Sequence, residues 1–102
     1  MSSHVKWPHP GEILKAEFLD PMGISQYRLA KALRVPQGRI GDIVTGARSI
    51  TAETGLLLSA FFGTSEGFWT NLQADFDRSV AKRKIASKLK QVERYEPECE
   101  PA

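Results

Sequence analysis

Five cations, Arg28, Lys31, Arg34, Arg39 and Arg48, stand between Ser25 and Arg48 against the single acid Asp42. That segment carries a net charge of +4, whereas the whole chain of 102 residues carries only +2. Positive charge gathered on one short stretch is the footprint of an element that meets a polyanion. The residue types also suit reading bases. The Arg39 guanidinium can bond both O6 and N7 of guanine, worth about 1–3 kcal/mol of discrimination, and Gln37 can make the same two-pronged contact to adenine. Asp42 either accepts from cytosine N4 or pairs with Arg39 three residues back and holds its fork. Gln37, Gly38, Arg39 and Asp42 are therefore the candidate base-reading set. Ser25, Gln26, Arg34, Thr45 and Arg48 flank it as candidate phosphate contacts. Lys31 and Arg34 serve equally well as solvated surface charge.

Other chemistry finds little support. Cys99 is the only cysteine, which rules out an intrachain disulfide and a cysteine-based zinc site. His4 and His9 lack a third ligand at useful spacing, and His9 reads instead as part of a helix cap. Asp75 and Asp77, two apart on a helix, face different directions. The chain has no nucleophile–base–orienter set and no glycine-rich phosphate loop. No enzymatic activity, cofactor or metal is expected.

Short helices must carry the charged segment. Pro10 suits the first residue of a helix, Ile13, Leu14 and Phe18 recur at helical spacing, and Asp20-Pro21 stops the run. Ser25 is a natural N-cap for a second helix that buries Leu29, Ala30 and Leu33. Arg34-Val35 forms a turn, and Pro36 opens a third helix. At roughly 100° per residue, Ile40, Ile43 and Val44 form its buried stripe. Gly38, Asp42 and Thr45 lie opposite, flanked by Gln37, Gly41 and Arg39. Gly46 closes it. Two glycines within this helix cost roughly 1 kcal/mol each relative to alanine. Either they let the helix backbone come close to a ligand, or they mark tolerant surface positions.

Thr51 caps a fourth helix from Ala52 to Phe62, ending at Gly63. Ser65 caps a fifth, with Glu66 at its positive end, that buries Phe68, Trp69, Leu72 and Phe76. Val80, Ile85, Leu89 and Val92 suggest a further amphipathic helix. No segment alternates apolar and polar residues between turn signals. The expected fold is all-α, with five helices and a possible sixth.

An apolar content of 41% supports one small domain. The reading divides the chain into an arm (1–8), a helix-turn-helix domain (9–78), and an amphipathic helix with an acidic tail (79–102). No apolar run approaches a membrane span or a secretion signal, so a cytoplasmic protein without a membrane partner is expected.

From His9 to about Asp77 the chain resembles the HigA/VapI-type antitoxins of the xenobiotic-response-element helix-turn-helix superfamily. The resemblance is carried by His9-Pro-Gly-Glu-Ile-Leu14, Glu17-Phe-Leu19, Gly23-Ile-Ser25, Leu29-Ala30, Val35-Pro36, Ile40, Ile43, Gly46, Arg48, Ile50-Thr51, Phe62-Gly-Thr-Ser65, Phe68-Trp69 and Leu72-Gln73. It implies a lambda-repressor-like fold and a homodimeric repressor that binds an inverted-repeat operator beside its own gene. It further implies a cognate toxin, usually a ribonuclease, that the protein binds and neutralises. The alternative is a stand-alone helix-turn-helix regulator without a toxin partner. Relatives often carry asparagine or arginine on the outer face of the third helix, where this chain has Gly38, Gly41, Asp42 and Thr45, so a different base sequence is expected. Relatives also tend to place a charge near Leu57, whereas Leu56-Leu-Leu-Ser-Ala-Phe-Phe62 is apolar all round and must be covered on more than one side. Leu57 and Phe61 are hence candidate dimer or partner contacts, together with Trp69, although Phe68 and Trp69 also read as core.

Overall fold

The residues 7–97 that the computed structural model describes form six helices, all but the last pair separated at proline or glycine positions. The readings for His4, Cys99 and the end of the acidic tail lie outside that range. Helix α1 runs without a break through Pro10–Ile13, a π-helical stretch Leu14–Leu19, and Asp20–Met22. It is followed by α2 (Gln26–Leu33), α3 (Gln37–Thr45), α4 (Ala52–Phe62), α5 (Phe68–Lys84) and α6 (Ala86–Gln91).

Asp20-Pro21 does not stop α1, contrary to expectation. A proline inside a helix cannot donate to the carbonyl four residues back, and its ring crowds that turn. The π turn just upstream changes the register, with Asp20 N–H donating to Lys15 O five residues earlier. The helix ends instead at Gly23, where φ is +66°. There Gly23 N–H donates to Asp20 O and Ile24 N–H to Leu19 O, which satisfies the last carbonyls.

The core is one cluster: Leu14 and Leu19 from α1, Leu29, Ala30 and Leu33 from α2, Ile40 and Ile43 from α3, Ile50, Leu58 from α4, and Trp69 from α5. Phe18, Val44, Phe61, Phe62, Phe68 and Leu72 pack around it, half-buried. Phe18, Phe62, Phe68 and Trp69 form an aromatic group with ring centroids 4.8–6.1 Å apart. Trp69 is 0% exposed. It fills the centre of the domain and offers no surface to a second chain, so it is core and not an interface residue.

Two helix starts differ in detail. Thr51 caps α4 as expected, its Oγ1 accepting from Thr54 N–H at 3.3 Å. Ser65 does not cap α5 with its side chain. Helix α5 begins at Phe68, after Gly67, and the Ser65 carbonyl accepts from Ser59 Oγ (2.7 Å) and from Phe68 N–H (3.1 Å) in the turn that leads into it. The amphipathic stretch from Ser79 is the outer end of α5, which breaks at Ile85 into the six-residue α6. From Val80 to Pro97 every residue is exposed. The described residues measure 62 × 31 × 22 Å, far from the roughly 13 Å radius of gyration of a compact 100-residue domain, at 18.5 Å. No described helix is long and apolar enough to cross a membrane.

Candidate nucleic-acid interface

The outer face of α3 is set by what holds its inner face. Ile40 and Ile43 are both 0% exposed, and Val44 is half-buried beside them. Gln37, Gly38, Asp42 and Thr45 are exposed as a result, with Arg39 and Gly41 partly so. The strip that sequence periodicity assigns to the outside is thus on the outside.

Helix α2 supports α3 through a tight connection. Ser25 caps α2, its Oγ accepting from Arg28 N–H at 3.0 Å. At the other end Val35 N–H donates to Ala30 O and Arg34 N–H to Lys31 O, the closed helix ending that normally calls for glycine. Here the left-handed position is taken by Arg34, with φ +62° and ψ +42°, the one non-glycine residue with positive φ among the described residues. Pro36 then presets the chain for α3, and Arg39 N–H donates to Pro36 O.

The far end of α3 is tied by its own residues. Gly46 takes φ +87°. Arg48 N–H and Thr45 Oγ1 both donate to Asp42 O, at 3.1 and 3.2 Å. The Asp42 carboxylate does not hold Arg39. It faces Arg48, whose Nε is 3.9 Å away, with both side chains about half exposed. The turn after α3 brings Arg48 back over the last helical turn, and a loose, solvated pair of this kind contributes little stability.

His9 joins three elements. Its Nδ1 accepts from Gly11 N–H at 2.9 Å, capping α1 as expected. Its ring stands edge-on to Phe76 of α5 with centroids 4.9 Å apart, and a Cβ placed on Gly46 would come to 3.8 Å from its Cγ. Burial holds the imidazole below its ordinary pKa of 6.5, with Glu12 and Asp77 pulling the other way. Among the described residues no group of three or more potential ligands could hold a metal ion.

Sequence reasoning missed Gln73. It is buried, its Oε1 accepts from Ile50 N–H at 2.8 Å, and its Nε2 donates to Asp77 at 3.0 Å. A glutamine at a core-facing helical position was the available signal. Leu57 is 38% exposed and lines a shallow groove with Ala32, Leu33, Ala60 and Phe61. The groove lies between α2 and α4.

An α2 anchored in the core by Leu29, Ala30 and Leu33, a short left-handed turn and an α3 with a clear outer face define a helix-turn-helix protein. The helix-turn-helix family profile matches residues 14–69. Virulence-associated protein I of Dichelobacter nodosus is 48% identical over 75 residues, which span 74% of this chain and 69% of that protein. A solved structure of an addiction module antidote protein of the HigA family from Coxiella burnetii is 43% identical. It superposes with a TM-score of 0.84 over 89% of this chain and 100% of that one. The Pseudomonas aeruginosa antitoxin HigA, solved with its higBA promoter, is 36% identical with a TM-score of 0.82, over 86% and 96% of the two chains. The chain belongs to the helix-turn-helix family, within its HigA-type antitoxin branch.

Proposed function

We propose that this protein is an antitoxin that represses transcription by binding DNA with α3 in the major groove. The observation that carries the reading is the outward ridge of α3 with cations on both sides: Arg39 on the helix, Arg34 at the turn before it and Arg48 at the turn after it. Gln37, Gly38, Arg39 and Asp42 face the base edges. Ser25, Gln26, Arg34, Thr45 and Arg48 face phosphates, which position a protein on the duplex without reading its sequence. The relative solved with its promoter supports the DNA-binding role.

The protein acts as a homodimer on an inverted repeat, each copy placing α3 in one half-site about one helical turn from the other. Leu57 and Phe61, at the α2–α4 groove, supply the apolar contact between copies or with a protein partner. The family supports a cognate toxin as that partner, and a cytoplasmic protein fits both roles. Electrophoretic shift with the DNA upstream of its own gene tests the repressor function. Binding that survives Arg39→Ala undiminished, or that ignores salt, would overturn it. Growth rescue against the product of the neighbouring gene tests the antitoxin function, and failure to rescue would leave a stand-alone regulator.

A further inference from the structure

We propose that Gly38 and Gly41 determine specificity. Their missing side chains let the α3 backbone seat closer to the base edges than a helix with ordinary residues could. This rests on the reading of α3 as the groove-facing helix and adds to it a distance requirement that the operator must satisfy.

The argument comes from what the chain itself demands of its glycines. Three of the eight, Gly23, Gly46 and Gly63, hold positive φ values. Gly11 and Gly55, inside helices, have no room for a Cβ, which would fall 1.7 Å from Ile43 O and 2.9 Å from Thr70 Cγ2 respectively. Gly38 and Gly41 also lie inside a regular helix, yet neither reason applies. A Cβ at Gly38 would meet nothing within 4 Å, and one at Gly41 would make an ordinary contact with Gln26 Oε1 at 3.6 Å. Glycine is the poorest helix former after proline. The fold therefore gives up stability at two positions of one nine-residue helix with no return inside the molecule.

The two positions are neighbours on one face. Residues three and four apart on a helix lie side by side, so Gly38, Gly41, Asp42 and Thr45 form one strip. Nothing on that strip stands tall. Thr45 turns its hydroxyl back onto Asp42 O, and the Asp42 carboxylate leans toward Arg48. The longer Gln37 and Arg39 flank the strip and reach past it. A ridge this low matches a duplex held against the backbone itself, with the flanking side chains reaching base edges to either side.

The test is Gly38→Ala and Gly41→Ala, alone and together, in the full chain. Alanine adds a methyl group without changing charge, hydrogen bonding or the reach of Arg39. Each substitution should raise the melting temperature, by roughly 4–8 °C. Each should also lower affinity for the DNA upstream of the protein's own gene at least tenfold, measured by fluorescence anisotropy. Affinity for an unrelated duplex of equal length, and its salt dependence, should hold within twofold. Variants that bind the upstream DNA within twofold of the unsubstituted chain would overturn the proposal, as would a fall in melting temperature or equal losses on both duplexes. Arg39→Ala separates the two levels. If it weakens binding and the alanines do not, the distance requirement alone fails; if it has no effect, the assignment of α3 fails with it.

Discussion

The backbone of Gly11 lies against the carbonyl of Ile43, so close that a Cβ at position 11 would sit 1.7 Å from that oxygen. The first turn of α1 thus seats directly on the last turns of α3, with the His9 ring on the side of Gly46 where a Cβ would stand. The orientation of the ridge is fixed by this contact as much as by the apolar stripe beneath it. Gly11→Ala places a methyl against main chain that has no rotamer to adopt. Overpacking of this kind costs about 1–3 kcal/mol or more. Urea unfolding should show a loss at or beyond the upper end of that range, together with loss of DNA binding as α3 is displaced.

Arg34→Gly should move stability and binding in opposite directions. A left-handed residue with a Cβ costs roughly 1–2 kcal/mol relative to glycine, and Arg34 takes that conformation at the end of α2. Glycine there should stabilise the domain by about 1 kcal/mol. Removing one phosphate contact should flatten the slope of log K against log salt by about 0.9. An unchanged slope would show that Arg34 is surface charge only.

Arg39→Ala and Arg48→Ala should be told apart by what they lose. Loss of a base contact costs about 1–3 kcal/mol, or roughly 5- to 150-fold, at one operator position and leaves the salt slope nearly intact. Loss of the Arg48 charge should weaken binding to all sequences alike and reduce the slope by about 0.9. Titrations on matched and scrambled duplexes at several salt concentrations measure both.

Stability should fall in mild acid through His9. The folded-state pKa lies below 6.5, with burial as the main cause. As pH drops through about 6.5 the unfolded chain takes up a proton that the folded chain still refuses, so the folded state loses ground until the folded pKa is passed. Protonation also removes the Nδ1 acceptor that caps Gly11 N–H. His9→Gln should flatten the stability profile between pH 7 and 5; an unaltered profile would reject His9 as its source.

Gln73→Leu keeps a long side chain but strands the buried Ile50 N–H, which has Gln73 Oε1 as its acceptor. A buried donor without a partner costs about 1–3 kcal/mol. The loss should appear in thermal unfolding, and Gln73→Glu should recover part of it only at pH low enough to keep its carboxyl protonated, since the ionised form would face the Asp77 carboxylate that Gln73 Nε2 donates to.

The helices, their order and most of their caps were legible in the sequence, because they depend on neighbours a few residues apart. Ser25 and Thr51 sit next to the amides they cap, and the 3.6-residue period of Ile40, Ile43 and Val44 assigns the inner face of α3 without reference to any other helix. What needed the tertiary structure are pairings across long separations or across a turn. Asp42 faces Arg48 and not Arg39 because the chain after Gly46 folds back over α3. Trp69 is enclosed because Phe18 of α1 and Phe62 of α4 close over it, and nothing among its neighbours in sequence distinguishes that from an exposed anchor. Pro21 is helical because a π turn absorbs it. The requirement for glycine at position 11 comes from a carbonyl 32 residues away. Local periodicity says which side of a helix is wet, but only packing decides which atoms of distant segments share the same space.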